Sequence, residues 1–177
     1  MPHLRIHSPE LFHLAVRGIL REKRAARMAR YHQHGDTSCL RHCIAVAYYS
    51  LALADFLRLP CDRESLIRGA LLHDYFLYDW HEKNPSHRLH GFRHPRIALQ
   101  NALADYRLNR REQNIILRHM FPLVPIPPTC REGFLVCLAD KACSLWETFV
   151  QNPYGDFFSG LEAVSQGRPA KRAAKIG

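Results

Sequence analysis

Along this chain, apolar residues recur every three or four positions in stretches separated by short polar breaks marked by Pro, Gly or Asp. That period is the signature of amphipathic helices, and the two-residue alternation of strands is nearly absent. Residues 9–30 predict a first helix, with Pro9 in its opening turn. The break "YHQHGD" follows. Asp36 or Thr37 can then cap a second helix running to about Leu59, apolar on most faces and so expected at the centre, with Pro60 as its stop. Asp62 caps a third helix, "RESLIRGALLHD". Residues 79–93 read as a polar, histidine-rich loop, and Pro95 opens a fourth helix to about Tyr106. Asn109 with Glu112, and Thr129 with Glu132, have capping-box spacing and start helices ending near His119 and Val150; "FPLVPIPP" between them is loop. A short amphipathic piece near 155–166 and a basic tail, "GRPAKRAAKIG", expected to be disordered, follow.

The expectation is an all-α fold of about six to seven helices in one compact domain. It divides into a basic N-terminal helix (1–35), a main body (36–150), a short C-terminal helix (151–166) and the tail (167–177). At 177 residues the chain can bury a real core.

Charge adds a hint about partners. Against 16 Asp and Glu stand 25 Lys and Arg, a formal net charge of +9, which favours anionic ligands. Arg17, Arg21, Arg24 and Arg27 share one face if the first helix is continuous, either as a contact for nucleic acid or anionic membrane or as a solvated face. The longest apolar stretch, Cys43 to Leu57, is too short to span a bilayer, and the N-terminal residues lack the pattern of a signal peptide. Six cysteines occur without a C-x-x-C pair, mostly inside apolar stretches, so free thiols in a reducing cytoplasm are expected.

The chemistry lies where polar residues interrupt apolar runs. His42 opens the most apolar helix, His73 and Asp74 end the third, and Asp140 interrupts "FLVCLADKACSLW". Burying an ionised carboxylate is costly unless it is paired or ligated. Each residue has an ordinary alternative: a core or cap histidine at 42, a helix-end pair at 73–74, a bridge from Asp140 to Lys141 or Arg118, a cap at His94, a dipole partner at His119. One divalent cation explains His42, His73, Asp74 and Asp140 together. Imidazole and carboxylate suit zinc, iron, manganese, nickel or cobalt alike.

The order His…His-Asp…Asp resembles the HD superfamily of metal-dependent phosphohydrolases. Beyond the dipeptide, "ALLHD", "HPRIAL" at 94–99, "IILRH" at 115–119 and "LADKA" at 138–142 are similar to successive elements of that family over roughly residues 36–150. The resemblance implies His42, His73, Asp74 and Asp140 as ligands of one metal, with Asp74 bridging to a second held by His94 and His119. His90, four residues before His94, is a rival for either histidine position and a candidate substrate contact. Lys141, Arg93 and Arg96 would offset phosphate charge, Lys141 beside Asp74 in the catalytic group.

The implied activity is hydrolysis of a phosphomonoester or phosphodiester in a small phosphorylated substrate such as a nucleotide, through a metal-activated water and one or two divalent ions. A non-catalytic regulatory or nucleic-acid-binding module and a di-iron oxidase are the alternatives. Two features depart from the family: Leu77 stands where many phosphodiesterase members carry the lysine of HD-x-G-K, and the acidic and polar residues that nucleotidase-type members use shortly after HD are not evident.

Overall fold

A computed structural model describes residues 4–80 and 89–155. The order is α1 (Pro9–Leu20), a 3₁₀ turn (Ala25–Arg30), β1 (His32–His34), β2 (Thr37–Ser38), α2 (Cys39–Phe56), α3 (Arg63–Leu72), α4 (His90–Asp105), α5 (Arg110–Arg118) and α6 (Arg131–Phe149). The fold is all-α apart from one two-stranded antiparallel hairpin. Residues 81–88 of the expected histidine-rich loop, the C-terminal piece beyond residue 155 and the basic tail lie outside the described residues. Among those described, no helix is long and apolar enough to cross a membrane.

As its pattern requires, α2 is central. Cys43, Ile44, Ala45, Val46 and Ala47 are all fully buried, and the helix packs against α3 and α6. Each fully buried Leu, Ile or Phe contributes roughly 1.5–3 kcal/mol of hydrophobic stabilisation. In turn α5 packs on α3, α4 and α6. The α3–α5 approach needs Gly69, where an added Cβ would lie 2.6 Å from Ile115 Cδ1.

Several local expectations are corrected. The predicted first helix is two elements, because α1 buries Phe12, Val16, Ile19 and Leu20, whereas the next apolar residues are Ala25 and Met28. In a continuous helix Ala25 would sit about 180° around from Val16, so the chain must break to bury both. The four arginines therefore share no single helical face, and Arg24 is committed to Asp105 (2.8 Å) and Asn101 (3.3 Å).

The 31–36 break is largely β1 and its turn, where Gly35 has φ +54° and a Cβ would lie 2.7 Å from the Glu147 carbonyl. Ser38, not Asp36 or Thr37, caps α2, accepting from Arg41 N–H at 3.2 Å. That helix closes at Phe56 through Arg58 (φ +50°) and the Leu59 N–H to Ala54 carbonyl bond of 2.9 Å, before Pro60 is reached.

The fourth helix begins at His90, not Pro95, so residues 90–93 are helical rather than loop. His94 and Pro95 are both buried, and that packing overrides the proline's preference for the first turn. The expected Thr129 box does not form: Cys130 is the N-cap, and Glu132 instead accepts from Asp62 N–H (2.8 Å) and Arg111 (3.1 Å). The Asn109–Glu112 box and the Asp62 cap form as expected. No cysteine among those described is disulfide-bonded; four of the six are buried.

Candidate metal centre

Five elements deliver the polar residues singled out by the sequence to one place. His42 lies in the first turns of α2, and His73 is the C-cap of α3 with Asp74 just beyond it. His94 comes from α4, His119 is the C-cap of α5, and Asp140 sits midway along α6. All six are buried, Asp140 the most exposed of them at 7%. Behind Asp74 the turn is pinned by Asn101, whose Nδ2 donates to the Tyr75 and Phe76 carbonyls at 3.0 and 3.1 Å.

The imidazoles share an orientation. His73, His94 and His119 each place Nδ1 on a backbone carbonyl one turn back: Ala70 at 2.7 Å, His90 at 2.9 Å and Ile116 at 2.8 Å. His42 Nδ1 meets Glu147 Oε2 at 2.7 Å. A carbonyl or carboxylate can only accept, so each Nδ1 carries the proton, and in a neutral ring Nε2 is a lone pair. Outer hydrogen bonds of this kind set the tautomer and ring direction of metal-ligating histidines.

All four Nε2 atoms turn inward. His42 Nε2 is 3.2 Å from Asp140 Oδ1 and 3.8 Å from Asp74 Oδ2; His73 Nε2 is 3.6 and 3.4 Å from the same oxygens. On the other side of Asp74, His94 and His119 Nε2 lie 3.1 and 3.5 Å from Oδ1 and 2.8 Å from each other. With Nδ1 protonated on both rings, two neutral imidazoles would meet there lone pair to lone pair. Only a proton or a cation between them makes that contact favourable.

Electrostatics follows the geometry. Burial alone would lower His42 and His73, but the Glu147 and Asp140 carboxylates beside His42, and Asp74 beside His73, raise both well above the ordinary imidazole value. Burial would raise the two aspartates, but His73 and His94 hold Asp74, and His42 and His73 hold Asp140, well below the usual carboxylate range. His119, desolvated and faced by His73 and His94, is lowered to about 3.

The donor set fits a divalent cation. His73 Nε2 and Asp74 Oδ1 are buried without a hydrogen-bond partner, a costly arrangement that a ligated ion would relieve. His42, His73 and Asp140 form one group whose ligand atoms lie within 4.8 Å of one another, and His73, Asp74 and His119 form another. Imidazole with carboxylate is a common donor mix for transition metals.

Other sequence-selected residues stand around the centre. His90 does not face it: the ring stacks between His94 (4.5 Å, 19°) and Trp80 (5.1 Å, 11°), with Nδ1 2.8 Å from Tyr78 Oη. Lys141 Nζ donates to the His119 carbonyl at 3.0 Å and lies 3.7 Å from Asp140 Oδ2. Arg93 and Arg96 are exposed on α4 on either side of His94. Tyr75, just beyond Asp74, is core, its hydroxyl on Asp105 at 2.8 Å.

Sequence reasoning missed Gln33, His34, Glu147 and Tyr154. Glu147 accepts from His42 and, at 2.7 Å, from the Tyr154 hydroxyl; with His34 and His42 it forms a third group of the same tightness. Its signal was available, since it follows Asp140 by seven residues and so shares its helix face.

A family model described as HD domain matches residues 39–144, more than half of the chain, from just before His42 to just past Asp140. No curated protein and no solved structure matches the chain significantly. The matched span, the helical architecture and the His/Asp cluster together place the chain in the HD domain family, which implies the metal-dependent hydrolase superfamily.

Proposed function

We propose that the protein is a metal-dependent phosphohydrolase cleaving a phosphomonoester or phosphodiester bond in a small phosphorylated substrate such as a nucleotide. The supporting observation is the convergence of four imidazole Nε2 atoms on Asp74 and Asp140, with His73 Nε2 and Asp74 Oδ1 left unpartnered. Bound divalent ions would supply charge to stabilise the phosphoryl group and acidify a water for attack on phosphorus. His42, His73, Asp140 and Asp74 Oδ2 would hold one ion; His94, His119 and Asp74 Oδ1 would hold a second.

The chain's own residues do the rest. The backbone carbonyls and Glu147 keep the rings aimed inward, so the donors need no reorganisation. Lys141 has three N–H donors and spends one on the His119 carbonyl, leaving donors for a phosphate oxygen. Arg93 and Arg96, with the net charge of +9, draw an anionic substrate toward that side, and His90 borders it from behind His94.

Metal analysis of aerobically and anaerobically purified protein, followed by a phosphoester panel, tests this. The expected result is one or two transition-metal equivalents and phosphoester cleavage that chelation abolishes. A fully loaded protein that cleaves no phosphoester would overturn it. Oxygen consumption with a mixed-valence iron signal would point to the oxidase alternative, and salt-sensitive nucleic-acid binding without hydrolysis to the regulatory module.

A further inference from the structure

The hairpin of β1 and β2 precedes the matched span of 39–144, yet it inserts a side chain into the centre. Gln33, on β1, is 5% exposed, and its Nε2 donates to Asp74 Oδ2. The amide nitrogen donates and the carboxylate oxygen accepts, so it is the NH₂ end of the side chain that makes this contact.

The other end of that amide has nothing to bind. Gln33 Oε1 is buried without a hydrogen-bond partner. Amide O and N are roughly 2.3 Å apart and a hydrogen bond spans about 3 Å, so Oε1 lies within roughly 5 Å of the Asp74 carboxylate. A glutamine serving only to fill the core would satisfy both ends or be replaced by an apolar residue, because an orphaned buried acceptor is costly.

We propose that Gln33 is a positioning residue of the metal centre. Its N–H fixes Asp74 with Oδ2 toward His42 and His73 and Oδ1 toward His94 and His119, and its carbonyl accepts a hydrogen bond from a water held beside that carboxylate. The proposal rests on the metal-binding reading above, and assigns the hairpin, outside the matched span, a part in the site.

Mn²⁺ titration of the metal-stripped full chain, followed by electron paramagnetic resonance, tests it on wild type, Gln33→Leu and Gln33→Asn, with thermal melts of the metal-free proteins alongside. Leucine removes donor and acceptor at similar volume; asparagine keeps the amide but withdraws it by one methylene. Both variants are expected to bind Mn²⁺ about 10- to 100-fold more weakly. The metal-free Gln33→Leu protein loses an orphaned acceptor but also the donor to a buried carboxylate, so its melting temperature should fall. The Mn²⁺ affinity of the folded protein is the readout that a merely structural role would leave unmoved. Should Gln33→Leu fail to fold, Gln33→Asn carries the comparison. Wild-type affinity in a folded variant, or a lowered melting temperature with unchanged affinity, would reduce Gln33 to a core residue and overturn the proposal. A wild-type protein that binds no divalent ion would instead overturn the metal-binding reading itself.

Discussion

The two sides of the Asp74 carboxylate are built differently. On the Oδ2 side, His42 and His73 face two ionised aspartates, and the neighbouring carboxylates hold both rings protonated in the metal-free chain. Two imidazoles of raised pKa there face Asp74 and Asp140, with the Glu147 carboxylate behind His42, so much of the carboxylate charge on that side is offset without a metal. On the Oδ1 side, His94 and His119 share one carboxylate oxygen, and His119, lowered to about 3, is neutral. One side must surrender protons to take a cation, whereas the other presents a lone pair already. A constellation that looks symmetric in its ligand types is thus asymmetric in its charge.

Asp74 joins the two sides, and its loss should have the largest effect. Asp74→Asn is expected to strip metal from both sides and reduce turnover at least a thousandfold, with the helical circular dichroism retained; elemental analysis beside the assay checks this. A variant that keeps one full metal equivalent would show that the sides do not depend on a shared carboxylate. Removing a partner from a buried pair costs about 3–5 kcal/mol, so the melting temperature should also fall.

Next in size is the pH dependence. Metal uptake on the Oδ2 side displaces the protons of His42 and His73, so affinity there should rise up to about 100-fold per pH unit while both rings remain protonated in the metal-free chain. On the Oδ1 side the dependence should be shallower.

The metal-free fold follows the opposite sign. The two histidine pairings contribute fully below the ordinary imidazole value of 6.5 and are lost as pH rises through the raised native values. Asp74 and Asp140 contribute above 3.8 and are lost as pH falls through their lowered values. Melting curves against pH, in chelator and in saturating Mn²⁺, should therefore diverge toward alkaline pH. Parallel curves would refute the proton exchange.

What could be read from the chain divides along similar lines. Asp74 and Asp140 were legible because each interrupts an apolar helix, where an ionised group demands an explanation. The first turn of α4 was not: Pro95 reads locally as a helix start, and only the burial of His94 and Pro95 extends the helix back to His90. In the extended helix the His94 ring turns its Nε2 toward Asp74, while the His90 ring stacks behind it. Gln33 had no readable signal. A three-residue strand carries no period, and its burial comes from contact with a residue 41 positions away.

The smallest expected effect probes the Oδ2 side alone, from its outer edge. Glu147 is 2% exposed and bonds His42 Nδ1 through one oxygen and the Tyr154 hydroxyl through the other. Glu147→Gln keeps an acceptor for His42 but removes the charge that, against the opposing pull of burial, does most to raise its pKa. Two changes should follow together. His42 becomes a weaker base, so the plateau affinity for Mn²⁺ at high pH should drop about tenfold. It also releases its proton more readily, so the onset of binding should move to lower pH. The Oδ1 side, which has no contact with Glu147, should titrate as before. Binding isotherms at several pH values separate these effects: an unchanged plateau would mean that Glu147 acts only as a core partner of Tyr154, and an equal loss on both sides would mean that the two halves are electrostatically one.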